Sequence, residues 1–113
     1  MTQPHSTSAE QADIPVIRLD ASGWNGYLDL YRAIFDALRS PAWHGTSPDA
    51  LVDSMVWGGI NGRQPPYRIV VESLSDPEMR AHIALCGRVI GESRKEYMDV
   101  NGEDVTVSLE LGD

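Results

Sequence analysis

Cysteine is almost missing from this chain: Cys86 stands alone among 113 residues. A disulfide framework within the chain is therefore excluded, and nothing asks for an oxidising compartment. Long apolar runs are missing as well. None approaches the roughly 20 residues of a membrane-spanning helix, and the polar opening MTQPHSTSAEQAD has no apolar stretch of the secretory kind. The expected location is the cytoplasm. Positive charge is scarce: nine Lys and Arg face seventeen Asp and Glu, a formal net charge of −8. That balance lacks the basic footprint needed for direct nucleic-acid binding. It suits a basic protein as partner, or plain solubility. Histidine occurs only at positions 5, 44 and 82, without metal-ligand spacing, and no Ser, His and acid fall into a hydrolase pattern. Gly58, Gly59 and Gly62 resemble a phosphate loop superficially, but no Lys-Ser/Thr follows and the segment runs through Pro65-Pro66 into a strand. Neither a metal, a cofactor nor an enzyme is expected.

What remains is enough for one domain. A chain of this length buries about 65% of its unfolded surface, and 42% of the residues are hydrophobic. Residues 1–13 are Ser/Thr/Gln/Ala-rich and read as a disordered tail; residues 14–113 form the domain. Residues 14–19 carry Ile14, Val16, Ile17 and Leu19 and predict a first strand. A helix follows over about 25–39, its stripe made by Tyr27, Leu30, Tyr31, Ile34, Phe35 and Leu38, and Ser40-Pro41 stops it. A second, short helix covers about 48–56, followed by a turn-rich loop in which Trp57 is expected to cap the core. Residues 67–72 form a second strand, whose unbroken Ile69-Val70-Val71 predicts burial on both faces.

Asp76-Pro77-Glu78 opens a third helix with a cap, a first-position proline and an acidic first turn. Its stripe is Met79, Ile83, Cys86, Val89, Ile90 and Tyr97, which makes Cys86 a buried structural thiol. The charges Glu92, Arg94, Lys95 and Glu96 favour a long helix over the alternative, a hairpin turning at Asn101-Gly102. Residues 105–111 alternate apolar and polar and predict a half-exposed edge strand. The order β-α-α-β-α-β, with helical crossovers, implies an α/β fold built on a three-stranded parallel sheet with right-handed connections.

The most telling stretch is SPAWHGTSPDALVDSM, residues 40–55. A loop with Trp43, His44 and Gly45 leads into the short helix, where Ser47 is the N-cap and Pro48 takes the first position. Asp49 and Asp53 are four apart. Asp49 lies in the first turn, where the helix dipole welcomes it. Asp53 lies beyond, where Asp is a poor helix former and like charges at i and i+4 oppose each other by roughly 0.2–0.5 kcal/mol. At 100° per residue both point nearly opposite to Leu51 and Met55, so the helix packs on those two and offers its aspartates to solvent. A fold gains little from that arrangement; a cationic partner gains much.

The element order, WHG followed by PDALVDSM, and the inferred basic partner together resemble the barstar family of intracellular ribonuclease inhibitors. The resemblance covers most of residues 14–111 and is tightest over 40–55. The family's G-x-x-x-D-A-L-x-D stretch is here Gly45, Asp49, Ala50, Leu51 and Asp53. It implies a two-layer barstar-like fold and an immunity-type protein, monomeric when free, that plugs the active site of a basic ribonuclease or nuclease toxin. In that role Asp53 is the main phosphate mimic, Asp49 supports it, Trp43 packs its ring on the enzyme, and Gly45 keeps the loop close. An acidic residue from the last helix also takes part in the family; Glu92 and Glu96 both qualify, and spacing does not choose. Ser47 and Pro48 replace an amide and an aliphatic residue, His44 a second aromatic, and Val52 a tryptophan, so these positions would adapt the surface to its own target. The alternative is a barstar-fold module that binds a non-nuclease partner through Trp43 and Val52. An enzyme using His44 near Asp49 is the weakest reading.

Overall fold

Ile69, Val70 and Val71 lie at the centre of the molecule. The computed structural model describes residues 14–40, 46–58 and 61–112, and in it these three sit on the middle strand of a three-stranded sheet ordered β1-β2-β3. The strands are β1 (Val16–Asp20), β2 (Tyr67–Glu72) and β3 (Val107–Leu111), and both pairings are parallel. Parallel neighbours need crossovers. Helix α1 (Tyr27–Ala37) and the short α2 (Pro48–Val52) connect β1 to β2, and the 25-residue α3 (Pro77–Asn101) connects β2 to β3. The architecture and element order are those expected, with β3 at an edge.

One sheet face is covered by the helices. Tyr67, Ile69, Val71, Val107 and Leu109 are buried there against Leu30, Ile34, Leu51, Met79, Ile83 and Ile90. Helix α3 runs so close to β3 that a Cβ on Gly87 would lie 2.5 Å from the Leu109 carbonyl oxygen. Only glycine permits that approach. The other face has no helix among the described residues, yet Val70 on it is 7% exposed. Its cover is charged. Arg18 stands opposite Val70 and reaches diagonally to Glu72 at 2.6 Å; Arg68 stands opposite Ser108 and reaches diagonally to Glu110 with two bonds of 2.9 and 2.7 Å. Arginine stems lie over apolar surface while their heads stay paired and wet. The Arg68 fork and the Ser108 hydroxyl hold the Glu110 carboxyl down at about 2.

Local signals mark the ends of both long helices, and at the α1 C-terminus a contact distant in sequence completes them. Asp29, in the first turn of α1, reaches back to accept the Asn25 N–H at 2.7 Å. The α1 C-terminus is a Schellman turn: the Ser40 N–H bonds Phe35 O and the Arg39 N–H bonds Asp36 O, with Arg39 at φ 53. A left-handed residue other than glycine costs on the order of 1 kcal/mol. Here it is clasped from outside, because Gly62 N–H bonds Arg39 O at 2.9 Å and Arg63 N–H bonds Leu38 O at 3.0 Å. The helix thus stops two residues before the expected boundary. Asp76 caps α3 through the Glu78 N–H. Its end is Gly102 at φ 77, whose N–H bonds Met98 O at 2.8 Å. Asn101-Gly102 is therefore a helix terminus and no hairpin turn.

The α1–α3 seam is polar at its centre. Tyr31 Oη lies 2.8 Å from His82 Nε2 and 3.7 Å from Cys86 Sγ, and the Tyr27 ring stacks on His82 at 4.2 Å. Burial lowers the imidazole pKa and raises that of the thiol. Among the described residues no helix is long and apolar enough to cross a membrane.

Candidate functional site

Helix α2 starts where its sequence says it should. The Ser47 Oγ accepts the Ala50 N–H at 3.2 Å and Pro48 holds the first helical position. Ser47 is thus committed to the cap. Leu51 and Met55 are buried, whereas Asp49 and Asp53 are exposed on the opposite side. Val52, half-buried, packs against the core beside them.

The helix does not run regularly to 56. From Asp53 to Gly58 it widens into a π-helical turn. A Cβ on Gly58 would lie 2.8 Å from the Asp53 carbonyl oxygen, so glycine lets the turn close upon that carbonyl. Asn61 ties the turn down, donating from Nδ2 to Ser54 O at 3.0 Å and to Ser54 Oγ at 2.9 Å. Widening turns Val56 inward, where it is buried, while Trp57, four residues after Asp53, stays on the Asp53 side. The expectation that Trp57 caps the core is therefore corrected. Its indole is 43% exposed, packs at 5.0 Å on the Tyr97 ring, and donates from Nε1 to Ser93 Oγ at 2.8 Å. The signal in the sequence was the i, i+4 spacing of Asp49, Asp53 and Trp57, which puts all three on one side of a helix continued past residue 56.

Ser93 and Tyr97 bring the 92–97 segment of α3 to the end of this column. Glu92 and Glu96 are exposed there, one turn apart on α3. Among the described residues the carboxylates of Asp49, Asp53, Glu92 and Glu96 make no hydrogen bond and no ion pair. The ion pairs that do form, Arg18–Glu72, Arg68–Glu110 and Arg94–Asp104, lie elsewhere. The structure therefore brings together Asp49, Val52, Asp53 and Trp57 on one side of α2, with Ser47 at its start and the two glutamates on the neighbouring helix. Trp43, His44 and Gly45 lie outside the described residues, as does the tail expected over 1–13. Among the described residues no group of three His, Cys, Asp or Glu is arranged to hold a metal.

A patch of unpaired carboxylates with an indole beside it is chemistry for docking on cations. It offers acceptors for charge-assisted hydrogen bonds, and an aromatic surface for packing or cation–π contact. A comparison with protein families finds that the family model described as Barstar (barnase inhibitor) matches residues 14–110. No curated protein and no solved structure matches the chain.

Proposed function

The chain belongs to the barstar family, and on that premise we propose that it is an immunity-type inhibitor that binds a basic ribonuclease or nuclease toxin and occupies its active site with the aspartates of α2. The observation that carries this reading is the state of Asp49 and Asp53: exposed, one turn apart, and without a partner among the described residues. A cleft that holds an RNA backbone presents Arg and Lys to phosphates. Carboxylates without a partner among the described residues give up none of those bonds on entering it, and they gain charge-assisted hydrogen bonds in a desolvated site. The formal charge of −8 steers a basic partner from a distance.

In this role Asp53 replaces a phosphate and Asp49 reinforces it, Val52 and Trp57 supply apolar contact, and one of Glu92 and Glu96 adds a peripheral charge. Trp43, His44 and Gly45 complete the surface from the preceding loop. The free protein is a cytoplasmic monomer.

The test is inhibition of RNA cleavage by the basic nuclease that co-purifies with the chain or is encoded beside it. Asp53→Ala should raise the inhibition constant by roughly 10²–10³-fold, the scale of a buried ion pair broken from one side, with the circular dichroism spectrum unchanged. The association rate should fall with added salt. Wild-type affinity in Asp53→Ala, or a rate indifferent to salt, sinks the proposal. Capture of a partner without nuclease activity, through Trp43 and Val52, would support the interaction-module alternative instead.

A further inference from the structure

Ser93 is out of place in helix α3. The buried side of that helix runs Met79, Ile83, Cys86, Ile90 and Ser93, a 3–4 spacing that lays one stripe against the core. A hydroxyl stands where the pattern asks for an aliphatic side chain. Serine is a weaker helix former than alanine, and a buried hydroxyl costs free energy unless it is bonded. Among the described residues the buried polar side chains are Ser54, Asn61 and Ser93. Ser54 and Asn61 bond each other at the π turn. Ser93, 6% exposed, bonds outward instead: its Oγ accepts the Nε1–H of Trp57 at 2.8 Å, and Trp57 lies at the surface. An interior polar group is thus committed to fixing a surface ring.

We propose that Ser93 is a positioning residue of the docking surface: it holds the Trp57 ring in the orientation the partner binds, before the partner arrives. This rests on the docking role given above to the outward side of α2. An indole held by packing alone can turn about its side-chain torsions. Here the Tyr97 ring packs on it at 5.0 Å, tilted by 58°, and the bond to Ser93 fixes its single donor. With Nε1 turned inward, an incoming group meets ring carbon. That suits an aliphatic stem or the face of a guanidinium, and offers nothing to a group that needs a donor. Asp53 lies four residues earlier on the same side, so carboxylate and ring face one partner together. A ring ordered in advance prolongs the complex once formed, and it leaves the encounter steered by the carboxylates unchanged.

The experiment uses the full chain, free and bound to the basic nuclease that co-purifies with it or is encoded beside it. In the free protein, Ser93→Ala should speed exchange of the Trp57 indole N–H with water by about tenfold in NMR. In the complex it should raise the dissociation rate by about three- to tenfold, the scale of ordering one large side chain on binding. The association rate should stay within about twofold. Ser93→Thr keeps the hydroxyl and should restore both readouts; circular dichroism checks that each variant is folded. In a Trp57→Phe background no N–H remains to hold, so Ser93→Ala should add nothing to the dissociation rate. A wild-type dissociation rate in Ser93→Ala overturns the proposal. So does Ser93→Thr behaving like Ser93→Ala, or an undiminished effect of Ser93→Ala on top of Trp57→Phe. Those results leave inhibition through Asp53 standing. Wild-type protein that inhibits no such nuclease sinks the function itself, and this role of Ser93 with it.

Discussion

The helix-free face of the sheet and the outward side of α2 are both studded with charge, and they use it in opposite ways. On the sheet, Glu72 and Glu110 each hold an arginine, and those pairs roof over Val70. On α2, Asp49 and Asp53 hold nothing among the described residues. Charges that close on one another serve the fold locally and leave little field outside. Charges that stay open repel each other weakly, and their field reaches outward to whatever cation arrives. The same carboxylate group is thus closed upon a partner in one place and left open in the other.

The contrast is broken most directly by removing the open charges. Asp49→Ala with Asp53→Ala should lower affinity for the cognate nuclease by ~10³-fold or more, while the free energy of unfolding stays level or rises by about 0.2–0.5 kcal/mol as their mutual repulsion goes. Denaturant unfolding beside inhibition measures both. Loss of stability in step with affinity would show that these aspartates belong to the fold. Gly58→Ala comes next and blurs the two regions deliberately. Its Cβ would collide with the Asp53 carbonyl oxygen, so stability should drop by about 1–3 kcal/mol, and inhibition should weaken because Asp53 and Trp57 move with the turn.

Acid sharpens the contrast from the other side. The folded-state pKa of Glu110 is held at about 2, against an ordinary 4.5, chiefly by its hydrogen bonds from Arg68. A depressed carboxyl binds fewer protons folded than unfolded, so its contribution is full above about 4.5 and is lost as pH falls toward 2. Asp104, lowered by Arg94, acts in the same sense. In Arg68→Ala the fall in stability below pH 4.5 should be shallower than in wild type, with inhibition at neutral pH untouched. The smallest effect belongs to His82. Burial lowers its pKa from 6.5, so the unfolded chain takes up its proton first and stability declines as pH drops below about 6.5. A His82→Gln variant should flatten that slope in pH-dependent melts.

The parallel sheet was legible because its elements carry strong local patterns: a continuous apolar run at 69–71, clean alternation before Leu111, and proline-led caps at Ser47 and Asp76. The outward aspect of Asp49 and Asp53 followed from helical spacing alone. Other features turned on contacts distant in sequence. The α1 terminus depends on Gly62 seating against Arg39, which no window around residue 39 contains. A tryptophan before two glycines looks like a core plug, whereas Trp57 lies four residues after Asp53 on the outward side, and its partners, Ser93 and Tyr97, belong to a helix distant in sequence. The burial of Val70 follows from the unbroken apolar run, yet its cover is two diagonal arginines and not a second layer of helix among the described residues. Asn101-Gly102 shows the limit of dipeptide signals: the same pair suits a hairpin or a left-handed helix end, and only the charged run before it favoured the second.

The clasp of Leu38 and Arg39 onto Gly62 and Arg63 has a bearing on the segment that follows it. One end of the segment 41–45 is moored by that clasp, and the other by the Ser47 cap. Each flank is thus fixed by bonds that belong to the described scaffold itself, so the register of α1 against the 61–63 loop and the starting point of α2 are set by residues outside that segment.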